Sequence, residues 1–355
     1  MRKKTSISLI LGILLSVIAL YFAFRHVPFR DLTSYLKTIN YFWMLPSVSV
    51  ALMSFALRVY RWQIILESAR SISFWRAFHP LMIGFMINCI LPGRVGEIAR
   101  PAILKKNENV HFSTGLATVA AERVFDVGIM IVFLVILLST VQIDPKLDIT
   151  FGKYHFNKEA LIAVGSVTFK LLILLLIGLI SVSIDRIRNR VIDLVMRSPS
   201  LLFFAGPDFK GNLQKKVCVP LVHFIENFAA GLALIKYPAK MVACIGLSAV
   251  IWGLAAFSYY LMAKGCPGIH LSFKELFAVM LITCFFIALP SVPGFWGIWE
   301  AGGVFALAIF GIPAKEAAGF TLTNHVVQIF PVIIVGLISA MITSVNILQV
   351  SYEEQ

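Results

Sequence analysis

The sequence predicts an all-α fold, a polytopic transmembrane helix bundle with two re-entrant Pro-Gly helical hairpins in an inverted repeat. Three observations lead there. Of 355 residues, 59% are hydrophobic and 14% are charged, more apolar surface than a water-soluble core can hide. The charges mostly punctuate apolar stretches rather than gathering on one face. Finally, two apolar stretches are too short to cross a bilayer, and each breaks at a Pro-Gly pair.

The elements follow in order. Met1-Arg2-Lys3-Lys4 precedes an apolar run over 7–24. The run resembles a secretory leader, but it is long enough to span and no small-x-small cleavage pattern follows it. It therefore reads as a retained first span. Further full-length spans are expected at 41–57, 114–140, 159–183, 239–263 and 316–345, each near or above the roughly 20 residues that cross the hydrocarbon. Between them, Phe78 to Leu91 meets Pro92-Gly93, and the run resuming at Ile98 stops at Arg100-Pro101. Likewise Leu276 to Leu289 meets Pro290 and Pro293-Gly294, and Ala301 to Phe310 ends at Gly311. Each region reads as a helix that enters, turns at depth and leaves by the same side, which a membrane tolerates only under cover of protein or a wet cavity.

The basic residues orient the chain. With the amino terminus in the cytoplasm, 20 of the 31 Lys and Arg fall in cytoplasmic segments and 8 in outer ones, as the positive-inside rule requires. That places both termini in the cytoplasm of a cell (inner or plasma) membrane protein. The net charge of +13 is thereby a membrane-flanking charge, and no nucleic-acid partner is expected. Residues 1–355 form one integral membrane domain. Within it, 184–238 is a cytoplasmic segment, where Leu221, Phe224, Ile225, Phe228, Leu232 and Ile235 recur at helical spacing behind Lys210, Lys215 and Lys216. This describes an interfacial amphipathic helix, or one packed on the bundle.

Leu91-Pro92-Gly93-Arg94-Val95-Gly96-Glu97 and Val292-Pro293-Gly294-Phe295-Trp296-Gly297 share the pattern apolar-Pro-Gly-x-x-Gly, each leading to a glutamate, Glu97 or Glu300. Their surroundings match too, so 41–140 and 239–345 read as two inverted-repeat units, the first hairpin open to the cytoplasm and the second to the outside. Paired units of opposite orientation are a common transporter plan, with the site between broken helices.

Ionisable groups at bilayer depth are expensive and usually have a task or a partner. The candidate substrate-binding residues are Arg94, Glu97 and Arg100 beside the first turn, Glu122, Arg123 and Asp126 in the 114–140 span, and Glu300 and His325 in the second unit. Arginines can hold phosphate in a two-pronged grip. For Arg94, Glu97 and Arg100 the alternative is an interfacial salt bridge capping a short helix, and for Glu122, Arg123 and Asp126 it is proton coupling or plain helix anchoring. Glu300, with no basic residue nearby in sequence, suits a protonatable switch, or it meets Arg94 or Arg123 in space. Asn324, His325 and Gln328 suit interhelical hydrogen bonds. The hairpin turns rest on Pro92, Gly93, Gly96, Pro293, Gly294 and Gly297. No metal cluster, nucleotide motif or nucleophile-base set is visible, so neither metal nor cofactor is expected. The five cysteines read as small buried hydrophobes.

The patterns LPGRVGEIAR at 91–100, AERVFD at 121–126 and VPGFWGIWEAG at 292–302 resemble the lysylphosphatidylglycerol synthase transmembrane-region, or flippase-like, family over roughly residues 5–345. The resemblance implies movement of an anionic, modified or polyprenyl-linked lipid between leaflets, with the matching motif residues as the working ones. The two-part synthases carry a soluble aminoacyl-transfer domain after this region, whereas this chain ends at Tyr352-Glu353-Glu354-Gln355. It resembles a stand-alone member, and enzymatic activity is not expected. Bulky Phe295-Trp296 departs from the smaller residues of many relatives, which leaves the headgroup open. Two alternatives stand beside the flippase or scramblase reading. One is a non-transporting membrane partner of a lipid-modifying or glycan-assembly enzyme, and the other is an intramembrane enzyme acting on a lipid headgroup.

Overall fold

Long apolar runs set the frame, and the longest helix continues through a proline, Pro331. In the computed structural model the described residues are 14, 16–21, 23–25, 27–67, 69–140, 149–151, 154–156, 166, 170, 173–174, 177–178, 181–201, 206–289 and 292–345. They are helical apart from turns and one small ladder, in which β1 (Ile149–Phe151) pairs antiparallel with β2 (Tyr154–Phe156). Half of the expected span at 7–24 and most of that at 159–183 lie outside these residues.

Three described helices are long and apolar enough to cross a membrane: Tyr41–Leu66, Pro238–Lys264 and Ala314–Thr343. A short α1 (Phe29–Leu36) precedes α2 (Met44–Leu66), itself entered through a 3-10 turn at Tyr41–Trp43. The first hairpin is α3 (Phe74–Ile90) and α4 (Gly96–Glu108), followed by the 29-residue α5 (Phe112–Thr140). The 184–238 segment folds as α6 (Asp185–Leu201), α7 (Pro207–Leu213) and α8 (Val219–Gly231), with a π turn at Gln214–Cys218. Then come α9 (Pro238–Lys264), the second hairpin of α10 (Phe273–Ile287) and α11 (Ile298–Ile309), and α12 (Ala314–Thr343).

Two expected boundaries move. The reading that ends the second span at residue 57 is short, because α2 continues to Leu66 with Arg58 and Arg61 inside it. Those two arginines are buried, so they leave the tally of cytoplasmic loop charges. The reading that stops at Arg100-Pro101 is short as well. Proline costs one hydrogen bond there, yet α4 runs on to Glu108 and ends at Asn109, whose φ of 52° closes it.

The packing is cross-wise. α2 lies along α9, and each hairpin packs its own two arms together. The first hairpin's α3 packs on α12, while the second hairpin's α10 packs on α5; α1 sits on α12 and α8 sits on α5. The largest apolar core gathers α9, α10, α11, α12 and the carboxyl-terminal half of α5 around Met262, Leu276, Leu281, Phe305 and Phe320.

The two turns share a backbone shape. Gly93 and Arg94 have φ of 79° and 56°, and Gly294 and Phe295 have φ of 72° and 60°. A left-handed glycine followed by a left-handed larger residue reverses the chain in both, at a cost of about 1–2 kcal/mol for each non-glycine. Gly96 answers a different need: a Cβ there would lie 1.8 Å from the Gly84 carbonyl oxygen. The arms of the first hairpin touch backbone to backbone at that point.

Candidate functional site

The first turn delivers its charges to a cluster made by four helices. Arg58, Arg61 and Trp62 come from α2, Arg100 from α4, Glu122, Arg123 and Asp126 from α5, and Ser248 and Trp252 from α9. Arg61 Nη1 donates to Asp126 Oδ1 at 2.7 Å and to Ser248 Oγ at 2.6 Å. Trp252 Nε1 donates to the same Asp126 oxygen at 3.1 Å. Arg58 and Arg123 each approach the second oxygen of Asp126 at 3.4 Å. Glu122 stands between Arg100 Nη2 at 2.7 Å and Arg61 Nη2 at 3.5 Å.

Aromatic faces complete the lining. The Arg100 guanidinium lies 4.1 Å from the Trp62 ring centroid, and that of Arg58 lies 5.1 Å from the Trp252 ring. Cation–π contacts of this kind are worth up to about 2 kcal/mol when desolvated. Trp62 is itself held by donating to Thr118 Oγ1 at 3.0 Å.

The cluster is graded from surface to core. Arg94, Glu97 and Arg123 have side chains 43%, 25% and 27% exposed, and they touch one another through Glu97 Oε1 at 3.9 and 3.8 Å. Arg58, Arg61, Arg100, Glu122 and Asp126 are buried. Of the eight charged residues, five are arginines and three are carboxylates, leaving two positive charges unmatched. Among the described residues, Nε of Arg61, Arg100 and Arg123 is buried without a hydrogen-bond acceptor. Nη2 of Arg61 and of Arg100 faces Glu122, at 3.5 and 2.7 Å. Surplus guanidinium charge with unspent donors suits an oxyanion.

Six of the eight candidate residues therefore meet in one place, and the structure adds Arg58 and Arg61. Their signal was present in the sequence. They are two arginines three apart at the end of a span, facing a span with Glu122 and Asp126 four apart.

Glu300 and His325 form a separate buried centre. The carboxylate expected to be unpaired is not: Glu300 Oε1 lies 2.5 Å from His325 Nδ1, and Oε2 accepts from the Gly297 backbone N–H at 2.7 Å. His325 Nε2 lies 2.8 Å from the Gly294 carbonyl oxygen. Trp299 stacks on the imidazole at 4.5 Å between centroids, and Trp296 packs against it at 4.4 Å. The two glutamates after the Pro-Gly turns therefore differ in role. Glu300 caps its helix from inside, whereas Asn88 Oδ1 serves the corresponding Gly96 N–H at 2.8 Å and leaves Glu97 free for arginines. Gln328 fulfils the interhelical expectation, donating to Ser258 Oγ of α9 at 2.8 Å.

The hairpin turns adjoin each other. Arg94 Nη2 donates to the Ile287 carbonyl at the end of α10 at 3.3 Å, and a Cβ on Gly294 would lie 3.4 Å from the Cys89 carbonyl oxygen. Among the described residues no group of three or more metal-binding side chains occurs. All five cysteines are free thiols, three buried and two partly so. Burial pushes the Cys266 thiol, beyond the end of α9, up to about 12.

Three relatives of similar sequence are archaeal. A UPF0104 membrane protein of Methanocaldococcus jannaschii is 26% identical over 74% of this chain and 96% of its own length. The glycosyltransferase AglD of Haloferax volcanii is 23% identical over 96% of this chain, which spans 55% of AglD. A UPF0104 membrane protein of Pyrococcus horikoshii is 21% identical over 78% of this chain and 80% of its own length. No solved structure matches significantly. The lysylphosphatidylglycerol synthase TM region describes residues 9–336, and this membrane protein belongs to that family.

Proposed function

We propose that the protein moves a phosphate-bearing lipid between the leaflets of the cell membrane, with the headgroup passing the arginine cluster while the acyl or prenyl chains stay in lipid. One observation carries this reading: five arginines against three carboxylates, with buried guanidinium donors unspent. A charge left unmatched inside a membrane costs at least about 2.5–3.5 kcal/mol on insertion scales, and a phosphate would offset it. Arg94, Glu97 and Arg123 form the wet edge of the path.

In this reading the two hairpins are re-entrant, the units are inverted copies and both termini are cytoplasmic. The packing supports a two-fold relation. Exchanging α1 with α8, α2 with α9, α3 with α10, α4 with α11 and α5 with α12 turns each of the main helix contacts into another observed contact. The shared left-handed turn shape supports it as well. On this basis the units run from α1 to α5 and from α8 to α12, longer than 41–140 and 239–345.

Reconstitution tests the proposal. Vesicles of phosphatidylcholine and phosphatidylglycerol carrying fluorescent phosphatidylglycerol, or a fluorescent polyprenyl phosphate, should expose label to an impermeant quencher faster with protein than without. Equal rates for every probe would refute it. A second reading is favoured by the AglD match: the chain serves as membrane partner to a glycan-assembly enzyme without moving lipid. It expects hairpin charge variants to keep that enzyme's activity.

A further inference from the structure

The number of protons that the closed Glu300–His325 centre holds follows from its hydrogen-bond partners. The Gly294 carbonyl can only accept, so His325 Nε2, 2.8 Å away, carries a hydrogen. The Gly297 N–H donates to Glu300 Oε2. One further proton lies between His325 Nδ1 and Glu300 Oε1, on either atom. The pair is thus neutral overall, with both side chains fully buried.

Removing that shared proton leaves a carboxylate and an imidazole with a single N–H. The ring then donates to Glu300 or to the Gly294 carbonyl, and one of the two contacts breaks. Adding a proton instead puts a net positive charge in a site with no exposure, just as removing one leaves a net negative charge there. Both contacts tie the second hairpin turn to α12, since His325 belongs to α12 while Gly294, Gly297 and Glu300 belong to the turn and α11. The turn is closed on its other side by Ser16, whose Oγ accepts from the Val292 N–H at 3.2 Å.

Other titratable groups stand around the centre without pairing to it. They are Cys89 of α3 behind Gly294, Tyr259 of α9 beside Asn324 with Cys284 of α10 near it, and Arg94 on the Ile287 carbonyl. Among the described residues the ion contact of Glu300 and His325 is with each other.

We propose that Glu300 and His325 form a proton-linked latch: the second hairpin turn comes away from α12 when the shared proton passes to water, and closes when it returns. Resting on the translocation reading, the latch makes protons the coupling ion for lipid movement.

Amide hydrogen exchange on the full-length protein in lipid nanodiscs tests the latch without any transport assay. Protection factors at 294–298, corrected for intrinsic exchange, should fall about tenfold per pH unit above a plateau, the slope of one linked proton. His325→Gln and Glu300→Gln should each remove that slope. A wild-type change below about threefold from pH 6 to 9, where one linked proton allows far more, would overturn the latch. So would the same slope in both variants. In vesicles, an imposed pH gradient should speed fluorescent phosphatidylglycerol movement by the wild type and not by His325→Gln. Movement indifferent to the gradient would overturn the coupling. No movement of any probe would refute the translocation reading alone, and the exchange data would still decide the latch.

Discussion

Arg61 of α2 and Asp126 of α5 meet at 2.7 Å with both side chains buried, and around this contact the charged cluster is organised. Asp126 also accepts from Trp252 and faces Arg58 and Arg123, so one carboxylate holds three arginines. Asp126→Asn should therefore destabilise the protein by about 3–5 kcal/mol, the usual cost of orphaning a buried charge. The double variant Arg61→Met, Asp126→Leu still leaves buried Arg58 without its carboxylate, and should recover only the part of the loss that comes from orphaning Arg61. Thermal unfolding in detergent checks both.

The cluster shows how far the sequence could be read. Arg94, Glu97, Arg100, Glu122, Arg123 and Asp126 are charges in apolar surroundings, and their cost alone marks them out. Arg58 and Arg61 escaped because a hydropathy window ends a span at its first charge, although a paired arginine can sit inside the helix. The Glu300–His325 contact was not legible at all. It joins residues 25 apart across a turn, and Arg94 and Arg123 stood as partners for Glu300 until the hairpin geometry was known. Turn position was legible because Pro-Gly has few other uses inside apolar runs. The role of each glutamate was not, since Asn88 replaces it as cap in one hairpin only.

Gly96 and Gly93 should respond differently to alanine. A Cβ at Gly96 would lie 1.8 Å from the Gly84 carbonyl, whereas one at Gly93 meets nothing within 4 Å. Gly93→Ala suffers mainly from its φ of 79°, about 1–2 kcal/mol. Gly96→Ala must part α3 from α4, overpacking that costs about 1–3 kcal/mol or more. Because Arg100 threads past Gly84, whose Cβ would lie 2.2 Å from Arg100 Cγ, parting the arms also moves Arg100. Both variants should melt lower, and Gly96→Ala should lose more lipid movement for a comparable loss of stability.

Arg123 separates binding from folding. It sits at the wet edge, sharing Asp126 with Arg58 and Arg61, so its loss leaves no carboxylate unpaired. Arg123→Gln should change stability by less than about 1 kcal/mol. If it grips phosphate, a charged hydrogen bond of about 1.5–3 kcal/mol disappears, slowing fluorescent phosphatidylglycerol movement roughly ten- to a hundredfold. An unchanged rate would remove Arg123 from the path.

α8 bears on both readings of the 184–238 segment, because one end of it packs and the other does not. Its carboxyl-terminal part closes on α5, where Thr114 Oγ1 donates to the Asn227 carbonyl at 2.9 Å and Phe228 joins Ala117 and Leu232. Its amino-terminal part leaves Leu221 and Phe224 exposed, with Val217 just before it. Lys210, Lys215 and Lys216 lie on the approach. Apolar side chains beside lysines suit an anionic bilayer surface, to which each lysine adds about 1 kcal/mol of attraction. A tryptophan introduced as Phe224→Trp should therefore be quenched by lipids brominated near the headgroup. Quenching should strengthen when phosphatidylglycerol replaces phosphatidylcholine and weaken in high salt, which screens the lysines. A tryptophan there that stays unquenched in both lipids would assign the exposed face to a soluble partner instead.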